Sequence, residues 1–173
     1  MHKFFGTLTV FLLTSHIVFA QVQYEVSKDP QNGQRTLKGI LSRELLAADT
    51  TFKWMHNDIS WYKPNAECVT HLTAVKDTVQ LLVFIGTWCE DSQIVLPQLL
   101  KMLDQVKYDV KRLTIVGVDR KKTTLGSLSE ALGVTKAPTI IVLKAGKEFG
   151  RVEEFGKYGL YDKELAEVLA KVK

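Results

Sequence analysis

Cys89 and Ser92 stand three positions apart, with Trp88 before them and Glu90 and Asp91 between. A cysteine does chemistry as its thiolate, which attacks disulfide sulfur or a metal. Val79 to Ile85 is a nearly unbroken β-prone run, the pattern of a strand buried on both faces. Gly86-Thr87-Trp88-Cys89 ends it, and Val95, Leu96, Leu99, Leu100, Leu103 and Val106 then recur at helical spacing. Cys89 therefore falls where a strand becomes a helix. Unpaired N–H groups and the positive dipole end stabilise an anion there. Ser92, one turn further on, can donate its hydroxyl to the thiolate. Glu90 and Asp91 favour the helix start but oppose a further negative charge. Residue types alone leave the sign of that balance open. The plainer reading of Cys89 is a small buried hydrophobe.

The other chemistry-bearing residues are few. Cys68 is the second of two cysteines. It could pair with Cys89 only if their Cα atoms came within about 7 Å, and an unpaired thiol is the preferred reading. Two histidines, His2 and His16, fall in the apolar start of the chain, while His56 and His71 lie away from the Cys89 turn. With no tight cluster of ligands, no metal site is expected.

The elements that must position the turn follow from periodicity. Residues 22–41 read as two strands around the turn Asp29-Pro30-Gln31-Asn32-Gly33, with Ser42 capping a short helix after them. Residues 49–63 carry Phe52, Trp54, Trp61 and Tyr62 at irregular spacing, which suggests a loop or short helix packed by aromatics. Pro64 is expected to open a helix through about Val75. Beyond the Cys89 helix, Leu113–Val118 reads as a strand and Leu125–Leu132 as a short helix closed by Gly133. Thr139–Leu143 and Phe149–Phe155 read as strands around a turn at Ala145-Gly146-Lys147, and Asp162 as the cap of a last helix to Val172. The order β-α-β-α-β-β-α describes an α/β fold: a central mixed β-sheet flanked by helices, with an N-terminal strand/helix extension.

With these elements in place, the chain resembles the thioredoxin superfamily. A buried strand, Trp88, Cys89, two residues, Ser92 and a helix look like the thioredoxin active-site turn. Pro97 lies eight residues after Cys89, where thioredoxins carry a helix-kinking proline. Ala137-Pro138-Thr139 is similar to the segment holding the family's cis-proline, and Gly146 and Gly156 match its late glycines. The Trp-Cys-Glu-Asp-Ser stretch looks like an exported bacterial subgroup with Trp-Cys-x-Asp-Ser. The resemblance covers roughly residues 65–173 and implies that Cys89 and Ser92 are catalytic and that Trp88, Ala137 and Pro138 bind substrate. Glu90, Asp91 and Pro97 would support the site. A cis Pro138 would turn the Ala137 backbone toward a groove beside Cys89, where an extended peptide could pair with it. Trp88 has a plain reading as a packing residue, and the resemblance implies that it also shields the thiol and presents an apolar surface to a partner.

Two departures from the family matter. Ser92 replaces the second cysteine, so the turn cannot form its own disulfide or resolve a mixed one. Val83, six residues before Cys89, stands where thioredoxins bury an aspartate.

Composition bounds the rest. The chain has 173 residues, 46% hydrophobic and 24% charged, with a net charge of +4. This fits one globular domain plus an accessory element and argues against disorder. The densest basic cluster, Arg120-Lys121-Lys122, has no interleaved aromatics. It reads as a solvated loop, and no nucleic-acid partner is expected. Met1-His2-Lys3, an apolar run from Phe4 and the ending Val18-Phe19-Ala20 read as a signal peptide cut after Ala20. The competing reading is an anchor, but Thr14, Ser15 and His16 interrupt a run of only about 17 residues. The expected organisation is therefore a signal peptide at 1–20, an extension at 21–64 and a thioredoxin-like domain at 65–173. The expected product is an exported, periplasmic or secreted monomer without a stable membrane anchor. It would engage protein or peptide thiols and disulfides by monothiol exchange through Cys89, with no metal, flavin or nucleotide. The rival readings are a redox-inactive peptide-binding module and a dithiol oxidoreductase that uses Cys68.

Overall fold

The computed structural model describes residues 23–172. The expected signal segment and its cleavage point lie outside the described residues. Six strands form one mixed sheet: β1 (Tyr24–Lys28), β2 (Arg35–Leu41), β3 (Val79–Ile85), β4 (Leu113–Gly117), β5 (Thr139–Lys144) and β6 (Lys147–Glu153). Their spatial order is β1-β2-β4-β3-β5-β6. β3 runs parallel to β4 and antiparallel to β5, with Ile85 opposite Gly117 and Phe84 opposite Thr139. The N-terminal hairpin joins this same sheet, because β2 pairs antiparallel with β4.

The apolar run of β3 is legible from its position in the middle of the sheet. Leu81, Val83 and Ile85 enter the larger core, while Leu82 and Phe84 enter a smaller one on the opposite face. The larger core is covered by α1 (Arg43–Ala48), α2 (Ala66–Val75), α3 (Glu90–Gln105) and α5 (Tyr161–Ala170). The smaller core includes Val134 and Ala137 and packs against Leu128 and Leu132, at either end of α4 (Leu128–Ala131). Helices thus flank both faces of a mixed sheet, the α/β architecture expected.

Several boundaries move for local reasons. Ser42 does cap α1, accepting from the Leu45 N–H. The start of α2 is set by Asn65, whose side chain accepts from the Cys68 N–H, so Pro64 precedes the cap. The expected helix over 125–132 is split, because Gly126 and Ser127 take φ values of 65° and 52°. A 3-10 turn at Leu125–Ser127 therefore precedes a four-residue α4. The last strand begins at Lys147, since Ala145 and Gly146 make a tight turn with positive φ. Asp162 is not a cap. It is the second residue of α5, and its carboxylate accepts from the Tyr62 hydroxyl (2.8 Å) and the Asn65 N–H (2.9 Å). That bond ties the end of the chain to the start of α2.

Between α1 and α2 the aromatic segment forms a 3-10 turn at Lys53–His56. Phe52, Trp54 and Tyr62 are buried, and Trp61 is 68% exposed. Among the described residues, no helix is long and apolar enough to cross a membrane.

Candidate functional site

Cys89 is the N-cap residue of α3, in extended backbone conformation and half-buried. Its Sγ donates to the Ala137 carbonyl at 3.2 Å, so the turn and the 137–139 loop meet at the sulfur. The Ala137–Pro138 peptide bond is cis. The loop is held on both sides of that contact. The Pro138 carbonyl accepts from the Glu154 N–H at 2.7 Å, and the Thr139 hydroxyl donates to the Lys136 carbonyl at 2.9 Å. Cys89, Ala137 and Pro138 are thus brought together.

Ser92 is fully buried, and its hydroxyl accepts from the Gly86 N–H at 3.1 Å. Among the described residues it makes no hydrogen bond to Cys89, whose sulfur here is a thiol donating to Ala137, whereas the expected donation is to the thiolate. Glycine at 86 leaves room for Trp88, since a Cβ there would lie 2.6 Å from the indole ring. Glu90 is exposed and Asp91 partly so. Burial pushes the Asp91 carboxyl above its ordinary value, helped by the neighbouring Glu154 and Glu90. Pro97 lies buried inside α3 and deprives the Gln93 carbonyl of its helical partner. Val83 sits fully buried in the apolar core of the central strand, with Ile115 and Ile140 as its cross-strand partners.

Trp88 packs inward, as its plainer reading has it. It is only 8% exposed, and its indole N–H donates to the Val118 carbonyl. The Arg120 guanidinium lies 4.5 Å from the ring centroid and the Lys122 ammonium 5.6 Å. The basic cluster is therefore not simply a solvated loop: two of its cations cover the tryptophan in cation–π geometry. They, not a bare apolar surface, form the outer face at that point.

The hairpin completes the site, which the sequence reading missed. Arg120 donates to Asp29 at 2.7 Å, and Asp29 also accepts from the Gln31 and Asn32 N–H groups. These donors hold the Asp29 carboxyl below its usual range, the Arg120 contact most of all. The Thr87 hydroxyl donates to the Arg35 carbonyl and accepts from the Leu37 N–H. The Gln93 amide reaches both the Thr87 carbonyl and Gln34. Only the turn chemistry around Asp29 and the charge of Arg120 were visible beforehand. Their separation of 91 residues hid the pairing.

Cys68 is fully buried in α2 and unpaired. Burial pushes its thiol up to about 12, with a smaller push from Asp162. Among the described residues, no group of histidines, cysteines and carboxylates could hold a metal.

A family model described as thioredoxin matches residues 45–173. The chain belongs to the thioredoxin family. The match begins inside α1 and so takes in the aromatic segment as well as the sheet from β3 onward. Among solved structures, the chain is similar to the germline-specific thioredoxin Deadhead of Drosophila melanogaster, at 17% identity and a TM-score of 0.41. That match covers 60% of this chain and 90% of the other. It is also similar to thioredoxin O2 of Arabidopsis thaliana in its oxidised state, at 20% identity, TM-score 0.39, covering 64% and 90%. A Pseudomonas aeruginosa protein of unknown function is similar at 18% identity, TM-score 0.46, covering 78% and 86%. No curated protein matches.

Proposed function

We propose that this thioredoxin-family chain is an exported protein that exchanges thiols and disulfides by a monothiol route through Cys89. The observation that carries the proposal is the half-buried Cys89 sulfur at the start of α3, bonded to the Ala137 carbonyl beside Pro138. The thiol donates that bond. A thiolate has no proton to donate, so ionisation breaks the contact and frees the Ala137 carbonyl for the backbone of an incoming peptide. Loss of the proton thus arms the nucleophile and opens a peptide contact together.

The Cys89 thiolate attacks one sulfur of a partner disulfide, forming a mixed disulfide and expelling the other sulfur as a thiolate, which takes up a proton. With Ser92 in place of a second cysteine, the turn supplies no resolving thiol. An external low-molecular-weight thiol attacks the Cys89 sulfur and releases the reduced partner. A second such thiol then frees Cys89 and leaves as the external disulfide. Two thiols are oxidised for each partner disulfide reduced.

Export rests on the charged start, apolar run and Val18-Phe19-Ala20 ending of residues 1–20. Mass spectrometry of the exported protein tests it: the expected N-terminus is Gln21, and a mature cytoplasmic chain beginning at Met1 contradicts it. The exchange reaction is tested by trapping the mixed disulfide on nonreducing gels, with Cys89→Ser as the variant that must fail to trap.

A second reading, a redox-inactive peptide-binding module, draws on the apolar surroundings of Val83 and the buried, backbone-bonded Ser92. In that case Cys89→Ser would bind peptides as the parent does, and the parent would not exchange with small disulfides.

A further inference from the structure

A cavity of about 790 Å³ lies between the β1–β2 hairpin, the 3-10 turn at Lys53–His56 and the Cys89 turn. Its wall carries three cations, Lys28, Arg35 and Lys53, and its lining includes no carboxylate among the described residues. Arg35 is committed to Asp49 at 2.9 Å. Lys28 and Lys53 are exposed and have no anionic partner among the described residues. The apolar part of the lining is Val26, Phe52 and Trp54. Trp54 is 8% exposed, and its indole N–H is one of two buried side-chain polar groups without a hydrogen-bond partner among the described residues. Gln34, Asn57 and Gln93 add amides.

We propose that this cavity binds a small organic anion with an aromatic or apolar body. The size suits a small molecule, as ligand cavities of roughly 300–1,000 Å³ do. Two unneutralised lysines on a carboxylate-free wall select negative charge. Val26, half exposed, offers the main apolar surface for the body, with the largely buried Phe52 and Trp54 rings lining the cavity beside it. The Trp54 indole lines the cavity and its N–H has no protein partner among the described residues, so its resonance reports occupancy. The site is separate from the Cys89 sulfur and stands whether or not Cys89 exchanges disulfides.

The probe is 8-anilinonaphthalene-1-sulfonate, compared with N-phenyl-1-naphthylamine, which has the same aromatic body and no charge. Each is titrated into the full chain labelled with nitrogen-15. The three indole N–H resonances are followed, that of Trp54 being assigned with Trp54→Phe. The sulfonate is expected to shift the Trp54 resonance saturably and to leave that of Trp61 in place. It should bind more tightly than the neutral amine. The double variant Lys28→Glu/Lys53→Glu changes only exposed side chains. It should weaken sulfonate binding at least about tenfold and close the gap between the probes. Three results overturn the proposal: a shift confined to the Trp61 resonance, equal affinity for the two probes, or sulfonate affinity unchanged in the double variant.

Discussion

Cys89 and Cys68 test how environment decides the fate of a thiol. Both are free, yet one is half-buried at a helix start and the other lies in the core with its thiol raised to about 12. Only the thiolate reacts, so at pH 8 Cys68 should be alkylated at least ~100-fold more slowly than Cys89. A time course with iodoacetamide, read by peptide mass spectrometry, checks this, and equal rates would contradict it. The carboxylates beside the turn act in the other direction. Asp91 is raised by burial, Glu154 and Glu90, so its charge appears later in a titration than an ordinary aspartate's. Once ionised, it opposes the anion at the helix start. Glu90→Gln/Asp91→Asn should therefore speed alkylation of Cys89 by about two- to tenfold at neutral pH. No increase would show that these carboxylates are too well solvated to act on the sulfur.

The elements around the turn are locked together by contacts that few residues make. Gly86 admits the Trp88 ring, and Gly86→Ala would set a Cβ 2.6 Å from it. Overpacking of this kind should cost about 1–3 kcal/mol in urea unfolding and disturb tryptophan emission. Asp29 and Arg120 form the second lock. Asp29→Ala should lower the thermal midpoint and loosen the cations over Trp88, seen as a red shift in its emission. The pH dependence has a definite sign. The folded Asp29 carboxyl lies below its unfolded value, so the clamp stabilises fully above the ordinary carboxylate range. Its contribution is lost as pH falls through that range toward the lowered folded value. Asp29→Asn should flatten this acid limb, measured as thermal midpoint against pH.

Legibility at this scale divides cleanly. The apolar run of β3, the helical spacing of α3 and the turn at Ala145-Gly146 are local patterns, and sequence displays local patterns. Asp162 looked like a cap because aspartate before a helix usually is one. Its carboxylate instead answers Tyr62 and Asn65, about a hundred residues away. Ser92 offers a hydroxyl at the right spacing, and a backbone N–H six residues earlier holds its oxygen while leaving the O–H proton to donate. Trp88 reads as a packing residue from its type, but nothing local announces Arg120 over its ring. Side chains whose partners come from distant elements are where residue type misleads.

At the scale of the whole molecule, the N-terminal hairpin is part of the sheet that carries the site. β2 contributes Leu37 and Leu41 to the larger core, and its backbone passes so near Gly117 that a Cβ there would lie 2.2 Å from the Leu37 carbonyl. A chain begun at residue 45, where the family match starts, would lose those side chains and the partners of Thr87. It should melt at a markedly lower temperature and with less cooperativity by circular dichroism, since burial of even one leucine side chain is worth about 1.5–3 kcal/mol. The most direct measurement traps the mixed disulfide on nonreducing gels, using a disulfide-containing protein partner and four chains: the parent, Cys89→Ser, Cys68→Ser and Ser92→Cys. A complex should accumulate in the parent and in Cys68→Ser, be absent in Cys89→Ser, and be shorter-lived in Ser92→Cys because a resolving thiol has been supplied. A parent that neither traps a partner nor exchanges with small disulfides, or trapping that depends on Cys68, would contradict monothiol exchange through Cys89.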